Sequence, residues 1–218
     1  MTSTPIVHRI SRGLAVAACV AMTASCAGEL ARTGKSPAYL IIDSLSAASG
    51  AEASLTFTSQ LNSDVQTLVD QTIGGVTIKV PTVFNDSGRA SFRLALKNPG
   101  SALSPTTPST INEITITRYR VDFKRADGRN RPGEDVPYGF DGAVTVTVPA
   151  GGTATVGFDL VRHTMKFEPP LRNLINSGGL FQINTIADIT FYGRDQAGNE
   201  VSVTGSITVN FGDFGDPS

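Results

Sequence analysis

The strongest constraint on the fold is an alternation of apolar and polar residues near the C-terminal end of the chain. Apolar residues or glycine occupy every second position over 187–193 and again over 201–211. The segment between them, 195–199, carries the Asp, Gly and Asn residues that tight turns favour. Side chains alternate between the two faces of a strand, so each run has one face to bury. These residues predict an antiparallel hairpin.

The same period-two pattern recurs along the chain at intervals of roughly ten residues, with turn residues between the runs. Strand-like runs cover 39–42, 55–58, 76–80, 90–96, 144–148 and 154–160, among others. A stretch with prolines at its start and Gly178 at its end, 169–178, predicts one short helix. The pattern predicts an all-β fold, an antiparallel β-sandwich of about eight or nine strands with one short helix.

Two local features add detail to this prediction. The segment 85–88 (Asn-Asp-Ser-Gly) has the composition of a tight turn. Further on, the apolar phase moves from Ile114 and Ile116 to Tyr119 and Val121. A β-bulge near Thr117 would produce such a slip of phase within one strand.

The N-terminal segment has the composition of a secretory signal. Basic residues at Arg9 and Arg12 precede an apolar run of ten residues, 13–22, which is too short to span a bilayer as a helix. Small residues follow it. We therefore expect residues 1–25 to be a signal peptide and the protein to be exported.

The signal ends in Thr23-Ala24-Ser25-Cys26, which resembles the lipobox of bacterial lipoproteins. Thr23 stands where that family usually carries an aliphatic residue. Both cysteines of the chain, Cys19 and Cys26, lie in this region. The resemblance implies lipidation of Cys26, with palmitate among the acyl chains, and a membrane anchor through that lipid. Ala27 resembles the sorting pattern for the outer membrane of the cell envelope. An ordinary signal cleavage near Ser25 or Ala27 is the alternative.

These boundaries predict three parts: the signal peptide at 1–25, a lipidated N-terminus and flexible tether at 26–37, and the β-sandwich domain at 38–218. The final hairpin, with its Asp195-Gln-Ala-Gly-Asn199 turn, resembles the last two strands of bacterial immunoglobulin-like domains. Segments 96–99 and 148–153 are similar to late-embryogenesis-abundant type 2 domains. Both resemblances imply a small β-sandwich, and the first implies that this sandwich is immunoglobulin-like. Neither implies a catalytic site.

Composition excludes several kinds of site. The charges nearly balance, with 18 Lys+Arg and 19 Asp+Glu, so we expect no nucleic-acid partner. After Cys26 the chain has one histidine, His163, and no cysteine. A zinc site needs several such ligands, and a Ser-His-acid triad could use only His163, which we interpret instead as a surface residue of a strand. We expect no enzyme activity, no metal and no cofactor.

The candidate binding site is the long segment 125–142, which has no periodicity. It combines Arg129 and Arg131 with Tyr138 and Phe140, and Arg and Tyr are enriched at protein interfaces. The alternative is a flexible connection whose two aromatic residues fold back onto the sheet. Calcium is disfavoured, because the spacing of the acidic residues is not that of an EF-hand and three arginines offset their charge. Those acids are Asp127, Glu134, Asp135 and Asp141.

We therefore expect a non-enzymatic, membrane-anchored envelope lipoprotein, a β-sandwich that binds a protein or envelope partner or serves a structural role. One alternative is a carbohydrate-binding module or glycan-active protein, although the absence of Trp weighs against sugar recognition. The other alternative is a stress-protective module of the late-embryogenesis type.

Overall fold

The structure, a computed structural model, describes residues 35–52 and 54–214. The predicted signal peptide, Cys26 and most of the predicted tether at 26–37 lie outside these residues. Twelve strands follow one another along the described chain, and the short α-helix α1 (His163–Lys166) lies between β10 and β11. The strands are β1 (Ala38–Ala48), β2 (Gln60–Asp64), β3 (Thr67–Ile73), β4 (Val76–Thr82), β5 (Asp86–Leu96), β6 (Gly100–Ser101), β7 (Ser104–Pro105), β8 (Ile114–Lys124), β9 (Phe140–Val148), β10 (Thr153–Val161), β11 (Gln182–Asp195) and β12 (Glu200–Gly212).

Eight of these strands form two sheets packed face to face. One sheet has the order β1-β5-β10 and the other the order β2-β12-β11-β8-β9. The pairs are antiparallel except β2–β12, which is parallel. In sequence order, β1, β5 and β10 take the places of immunoglobulin strands A, B and E. Strands β8, β9, β11 and β12 take those of C, C′, F and G. The predicted all-β, immunoglobulin-like sandwich is confirmed.

Aromatic side chains from both sheets join the two layers. The ring of Phe191 on β11 meets Phe92 on β5 at 4.8 Å between centroids and Phe158 on β10 at 5.3 Å. Tyr119 on β8 lies 5.1 Å from Phe158. Edge-to-face arrangements of this kind add stability beyond the apolar area that the rings bury. The core is therefore built from the inward positions that the alternation predicts.

Several sequence predictions are confirmed in detail. The final hairpin is β11–β12, with an unbroken register from its open end to the 195–199 turn. Ala187, Ile189 and Phe191 are buried, as the alternation predicts. The predicted bulge near Thr117 is confirmed by the register shift between Ile116 and Arg118 in the β8–β9 ladder.

Other local predictions are wrong. Residues 86–88, predicted as part of a turn, are the first residues of β5, because Asp86 is drawn into a buried ion pair. The predicted strand at 55–58 is a loop with a single bridge at Thr58, because its apolar residue Leu55 finds no core to face and stays exposed. The predicted helix at 169–178 contains only a 3₁₀ helix (Leu171–Leu174), and His163 begins α1 rather than lying on a strand.

The two ends of the sandwich differ in character. At the first, which we call the N-terminal end, β1 begins beside the last residue of β5. Ile114 pairs there with Val148 on one side and Asp195 on the other, so the short β9–β10 and β11–β12 turns share this end. Ser36, just before β1, lies beside the Asp195 carboxylate. The chain thus enters the body beside tight turns, and the 97–113 connection between β5 and β8 lies at this end as well.

The opposite end, which we call the loop end, collects long connections. Asp86, Lys166 and Asp64 meet there, at the start of β5, the end of α1 and the end of β2. Segment 125–139 leaves from the same end, since Lys124 pairs with Ile186 near the beginning of β11. The β3–β4 hairpin and segment 162–181 also leave from it. Within the described part of the chain, no helix is long and apolar enough to cross a membrane.

Candidate functional site

The long segment predicted as a binding loop is a folded connection at the loop end. Its backbone turns back on itself through Asp135 N–H to Arg131 O, at 2.9 Å, and Gly133 N–H to Val136 O, at 2.8 Å. Val136 is buried in the core cluster and fixes the loop to the body. The loop runs over 125–139, because Phe140 already belongs to β9.

The arginines of this loop pair with acids of the same loop. Arg129 Nη2 lies 3.1 Å from Asp135 Oδ1, and Arg131 Nη1 lies 2.9 Å from Glu134 Oε2. Arg125 pairs with Asp127, which lowers the pKa of the Asp127 carboxyl. Exposed ion pairs stabilise little, but together they hold the guanidinium groups in set positions. The arginines remain accessible, since both Arg129 and Arg131 are exposed.

The structure brings three of the four predicted site residues to one surface. Tyr138 is 56% exposed and rests against Gly133, where an added Cβ would lie 2.4 Å from the Tyr138 hydroxyl. Phe140 instead packs against the body, edge-on to Tyr119 at 6.2 Å and beneath the guanidinium of Arg162 at 4.1 Å. The candidate surface is therefore Arg129, Arg131 and Tyr138, with Phe140 as support beneath it.

The acids weighed as calcium ligands face arginines instead. Asp127, Glu134 and Asp135 pair within the loop, and Asp141 pairs with Arg118 at 2.7 Å and Arg120 at 2.9 Å. Among the described residues, no group of three His, Cys, Asp or Glu side chains could hold a metal ion.

A ladder of charged and aromatic side chains extends this surface across the outer face of the larger sheet. Arg120 joins Asp141 on β9 to Asp122 on its own strand, and Arg118 lies over the ring of Tyr192 at 4.0 Å. Sequence reasoning missed this ladder. Arg118 and Tyr192 meet only because the register pairs them across β8 and β11.

A second cluster, which sequence reasoning also missed, is buried at the loop end. Lys166 Nζ lies 2.9 Å from Asp86 Oδ2, and the two side chains are 1% and 0% exposed. Asp86 also accepts hydrogen bonds from Ser63 Oγ at 2.6 Å and Gly50 N–H at 2.9 Å. Lys166 Nζ donates further to the carbonyl of Asp64 at 2.7 Å. We call these residues the buried ion cluster.

This cluster holds residue types that serve elsewhere as nucleophiles and bases, but its geometry is that of a structural clamp. Ser63, Asp86 and Lys166 are sealed from solvent and satisfy one another's polar atoms. A catalytic nucleophile needs a position where substrate can reach it. The cluster instead ties together the β1–β2 loop, β2, β5 and α1.

Asp64 links the cluster to the base of the β3–β4 hairpin. Its carboxylate accepts hydrogen bonds from Thr67 Oγ1 at 2.8 Å and Phe214 N–H at 3.2 Å. Burial raises the pKa of this carboxyl, although the hydrogen bonds from Thr67, Gln66 and Phe214 act in the opposite direction. The Asp64 side chain thus joins the base of the hairpin to the segment just after β12.

His163, the single histidine available for a triad, binds an amide. Its Nδ1 lies 2.8 Å from Asn85 Oδ1, which also accepts its backbone N–H. The ring is exposed at the start of α1. These two hydrogen bonds tie the residue before β5 to the first residue of α1. The arrangement does not resemble a nucleophile–base pair.

No protein-family model matches the chain, and no curated protein matches it. Its function is therefore inferred from the sequence features and from the geometry above.

Proposed function

We propose that this protein is a non-enzymatic envelope lipoprotein, anchored through Cys26, that holds a binding surface away from its membrane. The observation that carries the proposal is the separation of the two ends. The chain enters the body at the N-terminal end, whereas the 125–139 loop, the β3–β4 hairpin and segment 162–181 lie at the opposite end. Loops on a rigid sandwich are the usual position for binding residues.

Dimensions support this arrangement. The tether at 26–37 is short, and a flexible chain of that length spans about 20 Å between its ends on average. The longest strand, β11, has 14 residues, which correspond to roughly 45 Å along the body. An anchor at Cys26 therefore places the N-terminal end near the bilayer and the loop end far from it.

The surface offered at the loop end suits a protein partner. It presents Arg129, Arg131 and the half-exposed ring of Tyr138, and the Arg118–Tyr192 stack continues it along the sheet. Arginine and tyrosine dominate the energetics of many protein interfaces, because one residue can supply both apolar area and directed hydrogen bonds. Binding would require exchange of the Arg131–Glu134 pair for contacts with the partner.

The absence of enzyme activity is part of the proposal. It is supported by the closed geometry of the buried ion cluster and by the amide partner of His163. Within the described ranges 35–52 and 54–214, no set of side chains offers metal ligation.

The anchor is tested by metabolic labelling with palmitate. We expect label on the native protein and on a Cys19→Ser variant, and none on a Cys26→Ser variant. Cys19 is the matched control because it is the only other cysteine of the chain. Label that persists after Cys26→Ser would rule out lipidation at this residue.

The binding surface is tested by site-specific photo-crosslinking in intact cells. A crosslinker placed at Arg131 should capture a discrete partner, and one placed at Gly151, in the turn at the N-terminal end, should not. Gly151 has open space around it, so the label fits without disturbing the fold. Equal capture at the two positions, or none at Arg131, would contradict the assignment of the loop end as the binding surface.

A further inference from the structure

The β3–β4 hairpin belongs to neither sheet of the sandwich. Within the described chain its two strands pair only with each other, and they are joined by a turn at Gly74 and Gly75. These glycines have φ values of +61° and +83°, which suit the tight turn of a two-residue hairpin. The ten residues 70–79 are all exposed. The hairpin is thus an arm that projects from the loop end.

The two faces of this arm differ in chemistry. Register pairs Val69 with Val80 and Ile73 with Val76, so these aliphatic side chains share one face with Ile78 and its partner Gln71. The opposite face carries the Asp70–Lys79 ion pair at 3.7 Å and the Thr72–Thr77 hydroxyl pair at 3.2 Å. We call the first of these the aliphatic face of the arm.

The aliphatic face is open to solvent. Ile73 and Val76 are each 63% exposed, and Ile78 is 45% exposed. A hairpin of two strands is at best marginally stable alone in water and needs another layer or strand against it. Within the described chain, the aliphatic face therefore lacks the second layer that would bury it.

We propose that the aliphatic face is covered by the same face of a second copy of this chain, which gives a symmetric dimer. The pairing joins like surfaces, as a two-fold interface requires. No charged side chain lies on this face of the arm, so two copies can approach without like-charge repulsion. The six residues present on the order of 500 Å² per copy, so the pair buries roughly 1,000 Å², the lower limit for a specific interface.

Further apolar surface lies beside the base of the arm. Leu180 and Phe181 are 84% and 67% exposed. They follow Gly178, whose N–H reaches the Asp213 carboxylate at 3.4 Å, and the neighbouring Phe214 bonds to Asp64 at the arm's base. The loop end therefore supplies more apolar area than the arm alone.

The dimer leaves the candidate binding loop free. The arm follows β2, at one edge of the larger sheet, whereas segment 125–139 precedes β9 at the other edge. With four strand spacings between them, the two edges of this sheet lie about 19 Å apart. The dimer itself does not depend on the lipid.

The test uses the chain from residue 26 onward with Cys26→Ser, followed by analytical ultracentrifugation over about 1–100 µM. We expect a reversible dimer whose dissociation constant rises at least thirtyfold in an Ile73→Lys variant, as for loss of a central interface contact. The matched control is Thr77→Lys, which places the same charge on the opposite face and should leave the constant within about threefold. Thermal unfolding should show that all three proteins keep the folded body.

Chemical crosslinking gives a second readout of the geometry. A Gln71→Cys variant should crosslink between copies with a short bis-maleimide that spans the separation of about 10 Å between packed sheets, whereas Asp70→Cys on the opposite face should crosslink far less. A monomer at every concentration, or a dimer equally strong after Ile73→Lys, would overturn the proposal. The proposal would also be overturned if the protein floated with phosphatidylcholine vesicles and Ile73→Lys abolished this flotation. That result would assign the aliphatic face to a lipid surface.

Discussion

At the residue scale, the Asp86–Lys166 pair is the interaction on which the loop end most depends. Both charges are removed from water, which is costly unless each keeps its partners. Here each partner is present: Asp86 receives three donors, and Lys166 reaches one carboxylate and one carbonyl. Removal of one side chain leaves the other charge buried and uncompensated.

We therefore expect Lys166→Met to lower the free energy of unfolding by about 3 to 5 kcal/mol. The matched control is Arg194→Met, which breaks the exposed Arg194–Glu200 pair and should cost less than about 1 kcal/mol. Adding Asp86→Asn to Lys166→Met should restore part of the loss, because the unpaired charge disappears. Urea unfolding measures all three. Similar losses from Lys166→Met and Arg194→Met would show that the buried pair is not a clamp.

At the scale of strands, the fit between β5 and β10 depends on a missing side chain. Gly88 lies on the inward face of β5, and a Cβ there would lie 2.4 Å from the ring of Phe158 on β10. The ring occupies the space that a larger residue at position 88 would fill. This close approach explains why a residue with the composition of a turn lies inside a strand.

We expect Gly88→Ala to destabilise the protein by about 1 to 3 kcal/mol through overpacking. Gly151→Ala is the control, since nothing lies within 4 Å of its Cβ position, and it should change stability by less than about 0.5 kcal/mol. A second change, Phe158→Leu, should offset part of the effect of Gly88→Ala. Chemical denaturation reports each value, and a neutral Gly88→Ala would contradict the packing described here.

The positions of strands were predictable where the alternation was long, whereas the residues of the buried ion cluster were not. The β11–β12 hairpin and the bulge in β8 follow from apolar phase alone. In contrast, Asp86 has turn-like neighbours, and its strand position is set by Lys166, 80 residues later in the chain. Period-two patterns carry no information on such distant pairs, so the buried ion cluster could not be predicted.

The binding loop was predictable only in part, for a similar reason. Its length and its Arg and Tyr content were visible in the sequence, and Arg129, Arg131 and Tyr138 do lie on its surface. Phe140 faces the body because the β9 register begins at that residue and places its ring beside Tyr119. The amphipathic arm was hidden because its two strands have no layer above them, and sequence alternation does not show whether a face is covered.

At the scale of the whole molecule, the proposed function depends on which end of the body faces the membrane. The tether leaves beside tight turns, and the arm, the 125–139 loop and the 162–181 segment lie at the far end of strands of up to 14 residues. A lipid at Cys26 would orient this body so that its loop end faces away from the membrane. The two proposed surfaces, one for a second copy and one for a partner, would then both be accessible from outside.

The most direct test of this orientation measures the height of each end of the body above a bilayer. The chain has no cysteine after Cys26, so Gly151→Cys and Thr77→Cys variants would each take one fluorophore once Cys26 carries the proposed lipid, at the N-terminal end and on the arm. In vesicles that carry acceptor-labelled lipids, we expect much stronger energy transfer from the label in the Gly151→Cys variant than from the label in the Thr77→Cys variant. Equal transfer from the two labels, or stronger transfer from the arm, would contradict the account.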